Sequence, residues 1–216
     1  EQQQHFDFET ISRINFDQFY GIEIEEFPAR IAEVAMWLID HQMNMRLSQE
    51  LGGYFVRLPL QKSGTIINAD SLEVDWEEIV KKEELNFIFG NPPFIGSKLM
   101  KQEQRDQITR LFIGNTGSGV LDYVTGWYQK AAEYIKDTKI EVAFVSTNSI
   151  VQGEQTSILW RYLLNNFNVK IHFAHRTFKW SNEAKGNAAV YCVIVGFAGY
   201  DTSEKKIYDY EDIRGE

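Results

Sequence analysis

Hydrophobic positions along the chain recur at two periods. Phe19-Tyr20-Gly21-Ile22-Glu23-Ile24-Glu25 alternates as a strand does, whereas from Phe27 onward Ile31, Val34, Ala35, Leu38 and Ile39 fall on one face of a helix, a face expected to lie against a sheet. Carried along the sequence, the pattern predicts strands at 19–25, 65–69, 86–90, 140–146, 169–174 and 189–197. Helices are predicted at about 27–48, 74–84, 100–113, 121–136 and 154–166. Strands and helices that alternate in this way predict an α/β domain built on a doubly wound, mainly parallel sheet.

Candidate chemistry sits at the end of the third strand. The apolar run Leu85 to Gly90 leads into Asn91-Pro92-Pro93-Phe94, and the carboxyl ends of strands are where open α/β sheets bind ligands. Two consecutive prolines fix φ and donate no hydrogen bond, so the carbonyls of Asn91 and Pro92 can be aimed into a pocket. The Asn91 amide oxygen and the Pro92 carbonyl are then two acceptors for one amino group. An exocyclic amine on a nucleobase is a poor nucleophile because its lone pair is delocalised into the ring, and two acceptors holding its hydrogens favour a tetrahedral nitrogen. Phe94 supplies a face for stacking the base, a contact worth about 1–3 kcal/mol. The same residues also read as a strand-terminating turn plugged by an aromatic ring.

This turn resembles the fourth motif of the DNA amino-methyltransferases, Asp/Asn/Ser-Pro-Pro-Tyr/Phe/Trp, and its Asn-Phe form is similar to the adenine-N6 branch. The resemblance runs from about Phe19 to Phe197 in the family's order. It implies a Rossmann-like class I methyltransferase that uses S-adenosylmethionine. Within it Glu23 would accept from the cofactor's ribose, as strand-end acids of such units do, with Ile24 beside the adenine ring. Glu23 reads equally as a solvated strand-end acid, and Glu25 and Glu26 as first-turn acids favoured by the helix dipole. Asp70, ending Ile66-Ile67-Asn68-Ala69-Asp70, would accept from the cofactor's amino group or cap a helix from Leu72 to Val80; Asn91 also borders the cofactor. Thr147-Asn148-Ser149 resembles the sixth motif. The loop Phe178-Lys179-Trp180-Ser181-Asn182 stands in the place of the eighth, so Phe178, or failing it Trp180, would cover the base face opposite Phe94. The late strand 189–197 is antiparallel in the family.

The family's Gly-rich opening, Asp-Pro-x-x-Gly-x-Gly, has no counterpart before Glu23, since residues 1–18 contain no glycine. The Gly114-Asn115-Thr116-Gly117-Ser118-Gly119 stretch follows a helical segment instead of a strand and reads as a flexible loop. The expectation is therefore a fragment with its amino-terminal strand missing: residues 1–18 connecting, 19–90 the cofactor-side half, 91–216 the substrate-side half. Such a fragment is expected to lack the cofactor and to be inactive alone.

Composition narrows the class. With 216 residues and 44% hydrophobic content the chain can bury one sizeable core. No apolar run approaches a membrane span and no secretory signal is evident, so the chain reads as soluble and cytoplasmic. The lone Cys192 excludes an internal disulfide. His172 and His175 lack companion ligands at metal spacing, and no metal is expected. The net charge of −9 is unfavourable for a duplex binder, since cationic side chains supply most phosphate affinity. Its distribution is uneven: residues 1–90 hold seventeen acids against seven bases, residues 91–216 fourteen against fifteen. Lys98, Lys101, Arg105 and Arg110 follow the Asn91 turn, and Arg176, Lys179 and Lys185 surround the later loop; both groups would rim a base pocket or form solvated faces. Lys98, Lys101 and Lys179 are the candidate phosphate contacts.

The function these expectations describe is methyl transfer to the N6 amine of an adenine swung out of duplex DNA. Phe27 to Leu38, Asn91 to Ser97 and the 178–182 stretch look most like the fused bacterial restriction-modification enzymes, in which target-recognition and nuclease parts share the chain. Methylation of cytosine N4, RNA or protein glutamine is the alternative within catalysis. A scaffold coupling DNA binding to cleavage is the alternative outside it.

Overall fold

The computed structural model describes residues 14–52, 64–180 and 190–210. They form two compact units, the first ending at Ile79 and the second beginning at Val80.

The first unit holds β1 (Tyr20–Glu23), α1 (Glu26–Leu51), β2 (Thr65–Asn68) and the single turn α2 (Trp76–Ile79). β1 and β2 pair in parallel, with Tyr20 opposite Thr65 and Glu23 opposite Asn68. Pro28 is tolerated in the first turn of α1, where its missing N–H has no partner to lose. The helix stops at Gly52, whose φ of 68° is the left-handed cap that glycine takes without strain. The face of α1 differs from expectation. Ile31, Val34, Leu38 and Ile39 are exposed, and the shielded side is Ala29, Ala32, Met36 and Asp40. Helix 74–84 is also corrected. Asp75 Oδ1 accepts the Glu77 N–H at 2.9 Å and starts α2, but the helix ends at Ile79. Within the second unit the Val80 carbonyl accepts Tyr134 Oη instead, at 2.8 Å, and only a 3₁₀ turn at Lys82–Glu84 follows.

The second unit carries β3 (Phe87–Gly90), α3 (Gln102–Leu111), α4 (Thr125–Tyr134), β4 (Glu141–Thr147), α5 (Glu154–Asn166), β5 (Lys170–Trp180), β6 (Val190–Ala198) and β7 (Lys206–Tyr208). Its sheet has the order β3-β4-β6-β5-β7. β3 is parallel to β4 and β5 to β7, and β6 is antiparallel to both its neighbours. The sheet is thus mainly parallel with one reversed strand, as expected for 189–197. The apolar sequence of β6 suits its central place: Cys192, Val193, Val195 and Phe197 are buried, and burial raises the pKa of the Cys192 thiol. Above the sheet Tyr128 of α4 stacks on Phe197 at 5.6 Å and meets Phe144 and Trp160 edge-on.

Two predicted boundaries move in this unit and one strand is added. Helix 121–136 starts only at Thr125, because the backbone and side chain of Asp122 are engaged elsewhere. Strand 169–174 runs on to Trp180, with bulges around His172 and after His175, and β7 has no counterpart in the predicted pattern. Gly114 and Gly117 adopt positive φ in the tight turn after α3, a local reason for that glycine-rich stretch. Among the described residues no helix is long and apolar enough to cross a membrane.

Candidate active site

Gly90 ends β3 opposite Phe144 of β4, so the turn after β3 and the turn after β4 emerge side by side at the carboxyl edge of the sheet. In the first turn Pro92 is buried, Phe94 half-buried, and Asn91 and Pro93 exposed. Neither the Asn91 amide nor the Pro92 carbonyl has a hydrogen-bond partner among the described residues. Two acceptors are therefore presented with no partner among the described residues.

The turn is held from beneath by a short segment ahead of α4. The Tyr123 N–H donates to the Ile95 carbonyl at 2.9 Å, and the Ser97 N–H donates to Asp122 Oδ1 at 2.8 Å. Asp122 is only 8% exposed. Its second oxygen accepts from Ser149 Oγ at 2.6 Å and from Gln155 Nε2 at 2.8 Å, and Gln155 Oε1 accepts the Asp122 N–H at 3.0 Å. The Asp122 carbonyl accepts Thr125 Oγ1 at 2.7 Å. Ser149 belongs to the 3₁₀ turn after β4 and also bonds Thr147 Oγ1 at 2.7 Å. One buried carboxylate thus ties the Asn91 turn, the Thr147-Asn148-Ser149 turn and α5 together. A buried charge is tolerated when its lone pairs are satisfied in this way. Sequence reading missed Asp122 and Gln155; the only local sign is an acid in an otherwise apolar Val120-Leu121-Asp122-Tyr123-Val124 run.

Glu23 and Asp70 lie at the carboxyl ends of β1 and β2. Asn68 Nδ2 donates to the Glu23 and Ile24 carbonyls at 3.1 and 2.9 Å, fixing the chain where β1 ends; nothing in the local sequence signals this tie. Glu23 Oε1 accepts the Glu25 N–H at 3.0 Å, and its other carboxylate oxygen has no partner among the described residues. Ile24 is exposed. Asp70 Oδ1 accepts the Leu72 N–H at 2.9 Å, so it caps a turn, while the helix cap passes to Asp75. A free carboxylate oxygen beside an exposed apolar side chain fits a cofactor that carries a ribose diol and an adenine ring.

Phe178 and Trp180 stand on a strand, not on the expected loop, and Ser181, Asn182 and Lys185 lie outside the described residues. Phe178 packs between Trp180 and Tyr210, at centroid distances of 6.3 and 5.9 Å. Next to it His175 stacks on Tyr208 at 4.5 Å and bonds the Tyr210 hydroxyl at 2.6 Å, and His172 Nε2 bonds the Tyr200 carbonyl. Phe94 makes no ring contact with Phe178 among the described residues. Lys98, Lys101 and Lys179 are exposed and without an ion-pair partner among the described residues, whereas Arg176 pairs with Asp209.

Comparison with known proteins places this geometry in a family. The model of the MmeI DNA-methyltransferase domain matches residues 1–209. The chain is 42% identical over 199 residues to DNA methyltransferase A of Bacillus subtilis (strain 168), covering 91% of the chain but 22% of that relative. The structure of the type IIL restriction-modification enzyme MmeI in complex with DNA superposes with a TM-score of 0.91 at 52% identity, over 99% of the chain and 29% of MmeI. A modification subunit of a putative type I restriction enzyme from Vibrio vulnificus YJ016 shares the fold, with a TM-score of 0.52 at 16% identity over 93% of the chain and 38% of that subunit. The chain spans about a fifth of the curated relative's length and under a third of MmeI's. It belongs to the family of the MmeI DNA-methyltransferase domain.

Proposed function

We propose that this chain is the methyltransferase part of a larger restriction-modification enzyme and that it transfers a methyl group to the N6 amine of adenine in duplex DNA. The observation that carries the proposal is a pair of acceptors without a partner among the described residues, the Asn91 amide oxygen and the Pro92 carbonyl, on a turn held by Asp122 at the carboxyl edge of a mainly parallel sheet.

S-adenosylmethionine, when bound, supplies an electrophilic methyl group. Glu23 would accept from its ribose, Ile24 would pack on its adenine ring and Asp70 would lie beside its amino group; residues 19–90 would form the cofactor side and 91–216 the substrate side. Asn91 and Pro92 accept the two amine hydrogens and so hold the nitrogen lone pair out of conjugation. Orientation of this kind supplies a large part of a bimolecular rate. Phe94 stacks on the extruded ring, with Phe178 or Trp180 on its other face. Lys98, Lys101 and Lys179 meet DNA phosphates. The target amine cannot reach a methyl donor inside the duplex, so the base leaves the stack first.

The test is radiolabelled methyl transfer by the full-length enzyme onto genomic DNA, followed by nucleoside analysis. Label in N6-methyl-2′-deoxyadenosine is expected. Asn91→Ala should lower turnover about 10²- to 10³-fold, the usual loss for deleting one preorganised hydrogen-bonding group, and leave cofactor binding nearly intact. Label on cytosine, or wild-type turnover in the variant, overturns the assignment.

A further inference from the structure

We infer that Asp122 is a positioning residue for methyl transfer, which sets the Asn91-Pro92 turn through the Ser97 amide; the inference rests on the function proposed above. Few bonds fix residues 91–99 from within: Ile95 N–H to the Pro93 carbonyl at 3.2 Å and Leu99 N–H to the Gly96 carbonyl at 2.8 Å. From outside, Asp122 and Tyr123 bond the turn at Ser97 and Ile95, and Arg105 Nη2 donates to the Lys98 carbonyl at 3.3 Å, farther from the two acceptors. Asp122 is in turn locked by donors from two other elements, Ser149 and Gln155. A shift in any of the three elements moves the carboxylate, and with it the backbone that carries the two acceptors. A misplacement of about 1 Å far from the reacting atoms can cost about 10²-fold in rate.

The polarity of the network gives a discriminating test. In Asp122→Asn the new amide nitrogen faces the Gln155 amide, donor against donor. In Gln155→Glu two carboxylates face each other. In the double variant the amide introduced at position 122 donates to the carboxylate introduced at position 155, whose second oxygen still accepts the backbone N–H of position 122. Ser149 then accepts from that amide and donates to Thr147, so the side chains at positions 122, 149 and 155 are paired again.

The full-length enzyme and the three variants are compared by turnover per folded molecule, by KM for DNA, and by hydrogen exchange at the Ser97 amide. Each single variant is expected to lose at least about tenfold in kcat with KM changed less than about threefold, and to expose Ser97 to exchange. The double variant should recover both to within about threefold. Ser97 exchange reads the hold on the turn whatever the methylated base proves to be, so failure here is separable from failure of the adenine assignment. Single variants with wild-type kcat and Ser97 protection overturn the inference. So does a folded double variant that recovers neither. If a single variant does not fold, Ser149→Ala removes one donor to Asp122 and should lower kcat several-fold per folded molecule; a wild-type kcat in that variant overturns the inference equally.

Discussion

Phe94 is half-buried and has no ring partner among the described residues, and in the proposed function it stacks on the base. Stacking tolerates any aromatic ring, so Phe94→Tyr and Phe94→Trp should retain activity. Phe94→Ala should lose about one to two orders of magnitude in kcat/KM, if about 1–3 kcal/mol of stacking is forfeited. A fluorescent adenine analogue at the target position would report loss of the stacked state, and full activity in the alanine variant would make the ring a core plug. Tyr128 has the opposite situation: it is fully buried and bonded to Ser146 Oγ at 2.9 Å, and burial raises its pKa above the ordinary 10.0. Raising an acid's folded pKa favours its neutral form, so this contribution to stability is present below pH 10 and is lost as pH rises beyond it. Tyr128→Phe should cost about 1–3 kcal/mol by leaving the Ser146 hydroxyl unpaired and should flatten the alkaline fall in stability, read from urea midpoints across that range. The Asn91 turn is legible in the sequence because two prolines after an apolar strand have few other uses. Asp122 is not, because its side-chain partners lie 25, 27 and 33 positions away and Leu-Asp-Tyr has the look of a helical first turn.

Among the elements, existence and order are readable from sequence and facing is not. Apolar spacing in α1 shows which residues share a side, but the shielded side is the one that carries Ala29 and Ala32, which spacing alone does not select. The predicted strand 169–174 stops before Arg176 because the hydrophobic pattern weakens there. Pairing of Phe178, Lys179 and Trp180 with Cys192, Tyr191 and Val190 supplies ladder bonds that the pattern cannot register. Gly196 in β6 is another such case. It pairs with Ala143 and Phe173, and a Cβ at this position would fall onto the Phe173 ring. Gly196→Ala should therefore destabilise the second unit by about 1–3 kcal/mol, as overpacking does, despite alanine's better fit to an ordinary strand. A denaturation midpoint equal to wild type would mean that the Phe173 ring swings aside without cost.

For the molecule as a whole the charge pattern follows the division of labour proposed above, although the fold itself divides at Ile79 and Val80. Residues 1–90 carry the acidic excess and hold Glu23 and Asp70, which face a small cofactor in the proposed function and need no basic field. Residues 91–216 are nearly balanced, and Lys98 and Lys101 directly follow the Asn91 turn, with Lys179 on β5 beside Phe178. Exposed ammonium groups without an ion-pair partner among the described residues have no internal salt bridge to break on meeting phosphate. Lys205 differs, since Asp201 already holds it at 2.8 Å. Each phosphate contact removed should make the slope of log affinity against log salt shallower by about 0.9. The Lys98→Ala, Lys101→Ala, Lys179→Ala triple variant of the full-length enzyme should then bind DNA more weakly, with a slope shallower by about 2.7 if all three contacts are made. Its affinity for S-adenosylmethionine should not change, and Lys205→Ala should leave the salt slope at the wild-type value. Fluorescence anisotropy with a labelled duplex over a range of salt concentrations measures both slopes. An unchanged slope in the triple variant, or an equal change from Lys205→Ala, would return these lysines to the solvated surface and leave DNA affinity to other parts of the enzyme.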